Sequence, residues 1–309
     1  MKINKPKFWD EKSLTFFSIL LLPFSYLYSL LVTINKLFKK EESFSIPVIC
    51  VGNIYIGGTG KTPISIKLKS LLDDKRKTII IKKNYKDQKD EIELLKKYSK
   101  LIVCEKRNIG INSAIEKKFD TVILDDGFQD TNIKKDLSIL CFNSNQQIGN
   151  GQVLPAGPLR EKLSSLRSAN IIMINGEKNI EFELKLKKYN SNLKFFYFNY
   201  KLKKFDEFKN RKLIAFAGIG NYINFFNTLK NNRLNVIREI SFPDHYDYTD
   251  KDLERLSIME DQNKAKLITT EKDYLRINPL KRRRFGFVSI NVDIKNENDL
   301  IDEVNKIFK

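Results

Sequence analysis

The chain has 309 residues, 41% hydrophobic and 11% aromatic, so it can bury a large core; a disordered, collagen-like or miniature fold is excluded. Its 56 Lys and Arg against 38 Asp and Glu leave a net charge of +18, which favours anionic contacts. That charge is spread along the whole chain without a basic stripe or a nucleic-acid module, so nucleic acid is not an expected partner.

The first predicted element is Leu14–Ile34, an uncharged run long enough for a membrane helix of about 20 residues. Trp9 precedes it, and Lys36, Lys39 and Lys40 follow. No small-residue cleavage site follows, which argues against a secretory signal. A spanning helix and a helix lying in the interface remain open, since Pro23 and several hydroxyl residues weaken a span. Residues 1–40 are therefore expected to form a membrane-associated helix.

Short apolar runs then alternate with charged helical stretches. Strands are expected at Ile46–Val51, Thr78–Ile81, Leu101–Cys104, Thr121–Leu124, Leu137–Phe142 and Ala169–Ile174. Helices are expected near Pro63–Leu72, Glu91–Tyr98 and Asn112–Lys118. The alternation indicates an α/β fold with a doubly wound, mostly parallel sheet. Glu177–Arg211 is Lys- and Asn-rich with alternating aromatics and reads as a ribbon or linker strand. A second βα set begins at Leu213, which divides the chain into a core of residues 41–205 and a smaller α/β subdomain of residues 206–309. Cys50, Cys104 and Cys141 fall in the apolar runs, an odd set that suits buried thiols in a reducing compartment. A single histidine, His245, excludes a zinc site built on histidine pairs.

The strongest motif is VGNIYIGGTGKTP, Val51–Pro63. A strand feeds a glycine-rich turn and then a helix led by Lys-Thr. Glycines let backbone N–H groups converge on phosphates, and the helix N-terminus adds its dipole. Candidate ATP-binding residues are Tyr55, Ile56, Gly57, Gly58, Thr59, Gly60, Lys61 and Thr62, with Lys61 reaching the β/γ-phosphates and Thr62 a Mg²⁺ ion. Tyr55 stands where the general P-loop pattern has glycine. Asp125 and Asp126 follow the apolar strand in FDTVILDDG and are the candidate carboxylates for Mg²⁺.

DDGFQ (Asp125–Gln129), GNGQVLPAGPLRE (Gly149–Glu161), AFAGIGN (Ala215–Asn221), FPDHY (Phe242–Tyr246) and TTEKD (Thr269–Asp273) follow the P-loop in order. In this the chain resembles the tetraacyldisaccharide 4'-kinase family, from the apolar helix to about residue 275. Tyr55 is then a family trait. The resemblance implies a P-loop NTPase-like kinase with ATP and Mg²⁺, acting on the 4'-hydroxyl of a lipid A disaccharide precursor. It further implies an N-terminal helix among inner-membrane lipids on the cytoplasmic face, and no obligatory protein partner is inferred. By the same resemblance Asp90 is the base, aided by His245, while Arg107 and Glu161 join Lys61 among the catalytic candidates.

The chain departs from the family pattern at two places. Asp130 follows DDGFQ where a histidine is usual, and Lys83–Lys86 (KNYK) replaces SRGYG and a longer loop. Two rival readings stand beside the lipid kinase: a P-loop enzyme for a soluble substrate, and a non-catalytic membrane nucleotide-binding protein.

Overall fold

The computed structural model describes residues 5–85 and 88–308, apart from the side chain of Leu37. Lys86 of the KNYK segment lies outside the described residues, as do residues 1–4 of the membrane-associated segment. Two compact units form. One comprises Lys5–Asn84, Ser99–Asn199 and the stretch from Ile294 onward, and the other comprises Tyr85–Tyr98 and Tyr200–Asp293. The expected segments 41–205 and 206–309 follow chain order, whereas the compact units interleave.

In the first unit, β1 (Val48–Gly52) leads through the P-loop into α2 (Lys61–Asp73), followed by β2 (Thr78–Lys83). After residue 98 the unit resumes with β3 (Leu101–Cys104), α4 (Arg107–Glu116), β4 (Thr121–Asp125), β5 (Leu137–Asn143) and β6 (Ile171–Asn175). The strands lie in the order β3-β2-β4-β1-β5-β6, every neighbouring pair parallel. The two faces of the sheet carry separate apolar layers, one around Ile54, Phe142 and Ile172 and the other around Ile79, Ile111 and Val122. This is the expected doubly wound architecture, and a ligand in such a sheet meets the carboxyl ends of the strands. Cys50 and Cys141 are fully buried strand residues, and burial pushes the Cys50 thiol up to about 11.

The ribbon or linker strand expected at Glu177–Arg211 contains the strand β7 (Lys194–Lys203), but a helix, α5 (Ile180–Lys187), precedes it. Asn179 caps α5 by accepting from Phe182 N at 2.9 Å, and Phe182 and Leu186, one turn apart, are buried on the sheet. The start of β7 pairs in parallel with β6. A two-residue apolar stripe among many Lys and Asn is weak in sequence but enough once the sheet offers it a face. Helix α4 also begins five residues earlier than its expected start at Asn112.

The second unit holds α3 (Lys89–Tyr98), β8 (Leu213–Ala217), α6 (Tyr222–Asn231), β9 (Val236–Ser241) and α7 (Asp250–Asn263). These are joined by β10 (Lys266–Thr270), the short α8 (Glu271–Arg276) and β11 (Gly286–Ile294). Its strands run β11-β10-β8-β9, again parallel. In sequence α3 connects β2 to β3, yet it packs in this second unit, chiefly on α8. Tyr98 at its end donates to the buried Glu271 at 2.8 Å, and Lys97 pairs with the same carboxylate.

Helix α1 (Phe16–Leu37) belongs to the P-loop unit and is inside out relative to a soluble helix. Ser18, Ser25 and Ser29 are buried, while Phe16, Leu20, Phe24 and Leu31 are 75%, 60%, 60% and 57% exposed. By length and composition it could cross a membrane. Its hydroxyls hold it to the LPAGP loop: Ser25 Oγ donates to Val153 O at 2.8 Å and accepts from Ala156 N at 2.9 Å. Asn150 Nδ2 reaches Ser18 Oγ at 3.1 Å, and Trp9 Nε1 donates to Pro155 O at 3.0 Å. The apolar face left outward is the kind a lipid phase covers.

Candidate active site

In the P-loop unit, register decides which side chains meet. Asp125, the last residue of β4, stands opposite Val51 of β1 and opposite Lys82 of β2. Paired residues of neighbouring strands project to the same face, so Lys82 lies beside Asp125. Lys82 Nζ donates to Asp125 Oδ2 at 2.9 Å, and both side chains are wholly buried. Helix α2 covers that face, bringing Ser65 Oγ to Asp125 Oδ1 at 2.8 Å and Thr62 Oγ1 to Oδ2 at 3.2 Å. Gly60 precedes α2 with φ +94°, a conformation glycine takes without strain.

Asp126 follows in the left-handed region at φ +56° and turns its carboxylate elsewhere. It meets Arg160 Nη1 at 3.0 Å and Lys61 Nζ at 3.7 Å. Two cations suited to phosphate thus converge on one carboxylate at the mouth of the P-loop. Among the described residues no group of three or more His, Cys, Asp or Glu forms a metal cage. The donor set fits Mg²⁺ nonetheless, because a hydroxyl and a carboxylate at a helix N-terminus suit an ion that completes its shell with nucleotide oxygens and water.

Not every candidate in the P-loop faces the cradle. The Tyr55 side chain is 1% exposed, and its hydroxyl bonds Asp10 and Lys5. Ile56 N donates to Pro158 O at 2.9 Å and Thr59 N to Gly57 O at 3.0 Å, so these two amides are already used. Thr59 Oγ1 accepts from Asn53 Nδ2 at 2.9 Å, which ties the loop to the end of β1. Gly57, with φ +105°, supplies the backward turn before Lys61.

Arg107 is 3% exposed and braces the turn after β4, donating to Asp126 O at 2.7 Å and Asp125 O at 3.3 Å. It also pairs with Asp130 Oδ2 at 3.4 Å. The residue that replaces the family's usual histidine therefore anchors this arginine, and Arg107 shapes the site through the turn. Glu161 is 4% exposed and pairs with Lys36 of α1 at 2.6 Å.

The second unit gathers a different cluster. Asp90 Oδ1 lies 3.4 Å from His245 Nδ1, and Asp90 Oδ2 lies 2.5 Å from Arg276 Nη2 and 3.5 Å from Lys272 Nζ. His245 has φ +55°, and its backbone N–H donates to Gly218 O at 3.0 Å, which fixes the ring's approach. Arg276 Nη1 spans Gly218 O and Asp273 Oδ1, the latter at 2.9 Å. Asp273 in turn accepts from Gly218 N at 3.0 Å and Tyr248 OH at 3.0 Å. The G-x-G of AFAGIGN, with no third glycine to make a dinucleotide site, thus serves as a backbone brace for this cluster.

Burial opposes the ionisation of Asp90, but Lys272, the hydrogen bond with His245 and Arg276 outweigh it and hold the carboxyl well below its usual range. Burial likewise opposes the charge on Lys272, yet Glu91 and Asp90 raise its pKa. Asp90 is thus an ionised, oriented acceptor.

Sequence reading did not find Lys82, Ser65, Lys272 or Arg276. For the last two a signal existed: in TTEKDYLR, Lys272 and Arg276 are four apart, on one face of a helix capped by Thr270. Lys82, in TIIIKK, carries the look of a solvated strand end.

A family model described as tetraacyldisaccharide-1-P 4'-kinase matches residues 17–309. The tetraacyldisaccharide 4'-kinase of Pelagibacter ubique is 43% identical over 311 residues, covering 99% of each chain. That of Rickettsia canadensis is 33% identical over 330 residues, covering 100% of this chain and 98% of its own. The crystal structure of LpxK from Aquifex aeolicus in complex with ATP aligns with a TM-score of 0.72 at 29% identity, over 94% of this chain and 99% of that one.

Proposed function

Because this chain belongs to the tetraacyldisaccharide 4'-kinase family, it is an ATP-dependent kinase of a lipid A disaccharide, and we propose that Asp90 accepts the proton of the 4'-hydroxyl during transfer. The observation that carries this role is the fixing of a buried, ionised Asp90 between His245 and Arg276. A sugar hydroxyl is a weak acid, so the acceptor must be ionised and aimed before the bond to phosphorus forms. His245 orients Asp90 by holding Oδ1. The weak basicity of Asp90 is no obstacle, since a loose phosphoryl transition state demands little proton transfer early on.

The P-loop unit holds the donor. Lys61 and Arg160 leave Asp126 for the β- and γ-phosphate oxygens, and the N-terminus of α2 faces the same charge. Thr62 with Asp125 or Asp126 would hold Mg²⁺, which would supply charge neutralisation at the phosphates. Arg107 keeps the turn bearing both aspartates in place. Glu161 joins the donor side, steadied by Lys36.

Helix α1 places the enzyme at its substrate. Its serine face binds protein and its apolar face lies in lipid, on the cytoplasmic side of the inner membrane where ATP is available. Excess Lys then adds attraction to anionic lipid and to the substrate's 1-phosphate, each well-placed cation contributing about 1 kcal/mol. The test is transfer of labelled γ-phosphate from ATP to a tetraacyldisaccharide 1-phosphate in detergent micelles with Mg²⁺. Product bearing phosphate on the 4'-hydroxyl is expected; intact ATP binding with no transfer to the glycolipid would overturn the reading.

A further inference from the structure

Among the described residues, Lys82 is the charged side chain that reaches Asp125 from the neighbouring strand, and it has no part in the proposed transfer. We propose that Lys82 is a positioning residue for phosphoryl transfer: by clamping Asp125 it makes that carboxylate a fixed acceptor for Thr62 and Ser65 and so aims the Thr62 oxygen at the metal. Lys82 holds Oδ2 at 2.9 Å, and Ser65 holds Oδ1 at 2.8 Å. With both oxygens tethered, the carboxylate cannot rotate, and Thr62 Oγ1 at 3.2 Å must spend its hydrogen on Oδ2. A hydroxyl that donates inward presents its lone pairs outward, toward the nucleotide side of α2.

The charge balance supports the same role. Asp125 and Lys82 are both 0% exposed, so the carboxylate has no solvent to stabilise it and the lysine supplies a cationic contact from the sheet. Asp126, one residue on, faces Lys61 and Arg160 instead, which leaves Asp125 to the internal network. The inference rests on the kinase reading only in taking the ligand to be ATP with Mg²⁺.

The test compares ATP dissociation constants with Mg²⁺ and in EDTA, together with melting temperature, for wild type and variants of the full-length protein in detergent. Lys82→Met is expected to melt about 10 °C lower, because it strands a buried carboxylate. Its ratio of metal-free to Mg²⁺-bound constants should fall roughly tenfold, the scale of losing a residue that orients a ligand, while metal-free binding stays within about twofold. Lys82→Gln, which still donates to Oδ2, should fold and lose roughly threefold of the ratio, so the test survives if the methionine variant does not fold. Lys82→Met with Asp125→Asn should recover most of the melting loss, since no charge is left unpaired.

An unchanged or larger Mg²⁺ ratio in Lys82→Met and Lys82→Gln would show that the lysine is only a counter-charge, and would overturn the proposal. Additive melting losses in the double variant would do the same. Absence of Mg²⁺-dependent ATP binding in wild type would instead remove the kinase reading itself, and the inference with it.

Discussion

Asp125 and Asp90 are both buried carboxylates at the functional centre of their own unit, and they are held in opposite ways. Asp125 is locked by one lysine and two hydroxyls, with each oxygen tied to a side chain of its own sheet or the covering helix. Asp90 is surrounded by Arg276, Lys272 and the one histidine, two of them on the short helix α8. The first arrangement makes a fixed strut. The second keeps the carboxylate ionised, as the proposed role of proton acceptor requires. Burial alone therefore does not say what a carboxylate does; the nature of its donors does.

The largest expected effect separates the two units by what is lost. Lys61→Ala should cut transfer roughly 10³-fold and weaken ATP binding, because it removes a charge proposed to meet the phosphates. Asp90→Ala should cut transfer about 10²- to 10⁴-fold while ATP affinity holds. Single-turnover transfer and equilibrium ATP binding, measured on the same preparations, check this; weakened ATP binding in Asp90→Ala would break the division.

Next in size is stability. Asp125→Ala strands Lys82 in the core and should destabilise by about 3–5 kcal/mol, seen as a lower denaturant midpoint. Asp90→Asn should cost only about 1 kcal/mol, because Arg276 keeps Asp273 and Gly218 O and Lys272 keeps Glu91. Equal losses at the two positions would contradict the difference between strut and acceptor.

The third prediction concerns pH. With its folded pKa depressed by Lys272, His245 and Arg276, Asp90 stays ionised through the ordinary carboxylate range. Its contribution to stability is full above the unfolded value of about 3.9 and is lost as pH falls through the lower folded value. Wild-type kcat/KM should therefore show no Asp90 limb near pH 4. Lys272→Met removes the foremost of the charges that lower it and should raise the pH at which activity falls on the acid side. A limb that stays put in the variant would mean that Lys272 does not set the ionisation of Asp90.

The sequence made these two centres legible to different degrees. The P-loop, the Asp-Asp turn and the doubly wound sheet were readable because contiguous residues carry them: glycines before Lys-Thr, an apolar run before two aspartates. His245 and Asp90, far apart in sequence, could be paired only through a family resemblance. Lys82 was hidden because strand register, not sequence spacing, places it against Asp125. Arg107, one of the catalytic candidates, turns inward to Asp130 and two carbonyls of the Asp-Asp turn, contacts that no sequence spacing announces. The helix between Glu177 and Arg211 was missed because Phe182 and Leu186 are a thin apolar stripe in a Lys-rich stretch.

The smallest effect lies away from both aspartates, at the junction of α1 with the P-loop unit. Ser25 is 4% exposed, donates to Val153 O and accepts from Ala156 N. Ser25→Ala leaves that buried N–H without its acceptor, which costs about 1–3 kcal/mol locally. The LPAGP loop leads directly to Arg160 and Glu161, and Tyr28 of the same helix also donates to Arg160 O, at 3.2 Å. Loosening the junction should therefore raise the KM for the lipid substrate by about two- to fivefold, the scale of a lost hydrogen bond, with ATP affinity unchanged. The apolar face is untouched, so binding to lipid vesicles should also be unchanged. A Ser25→Ala enzyme with normal lipid KM would show that α1 only anchors; one with weakened vesicle binding would show that the Ser25 contacts also set how α1 presents its apolar face to the bilayer.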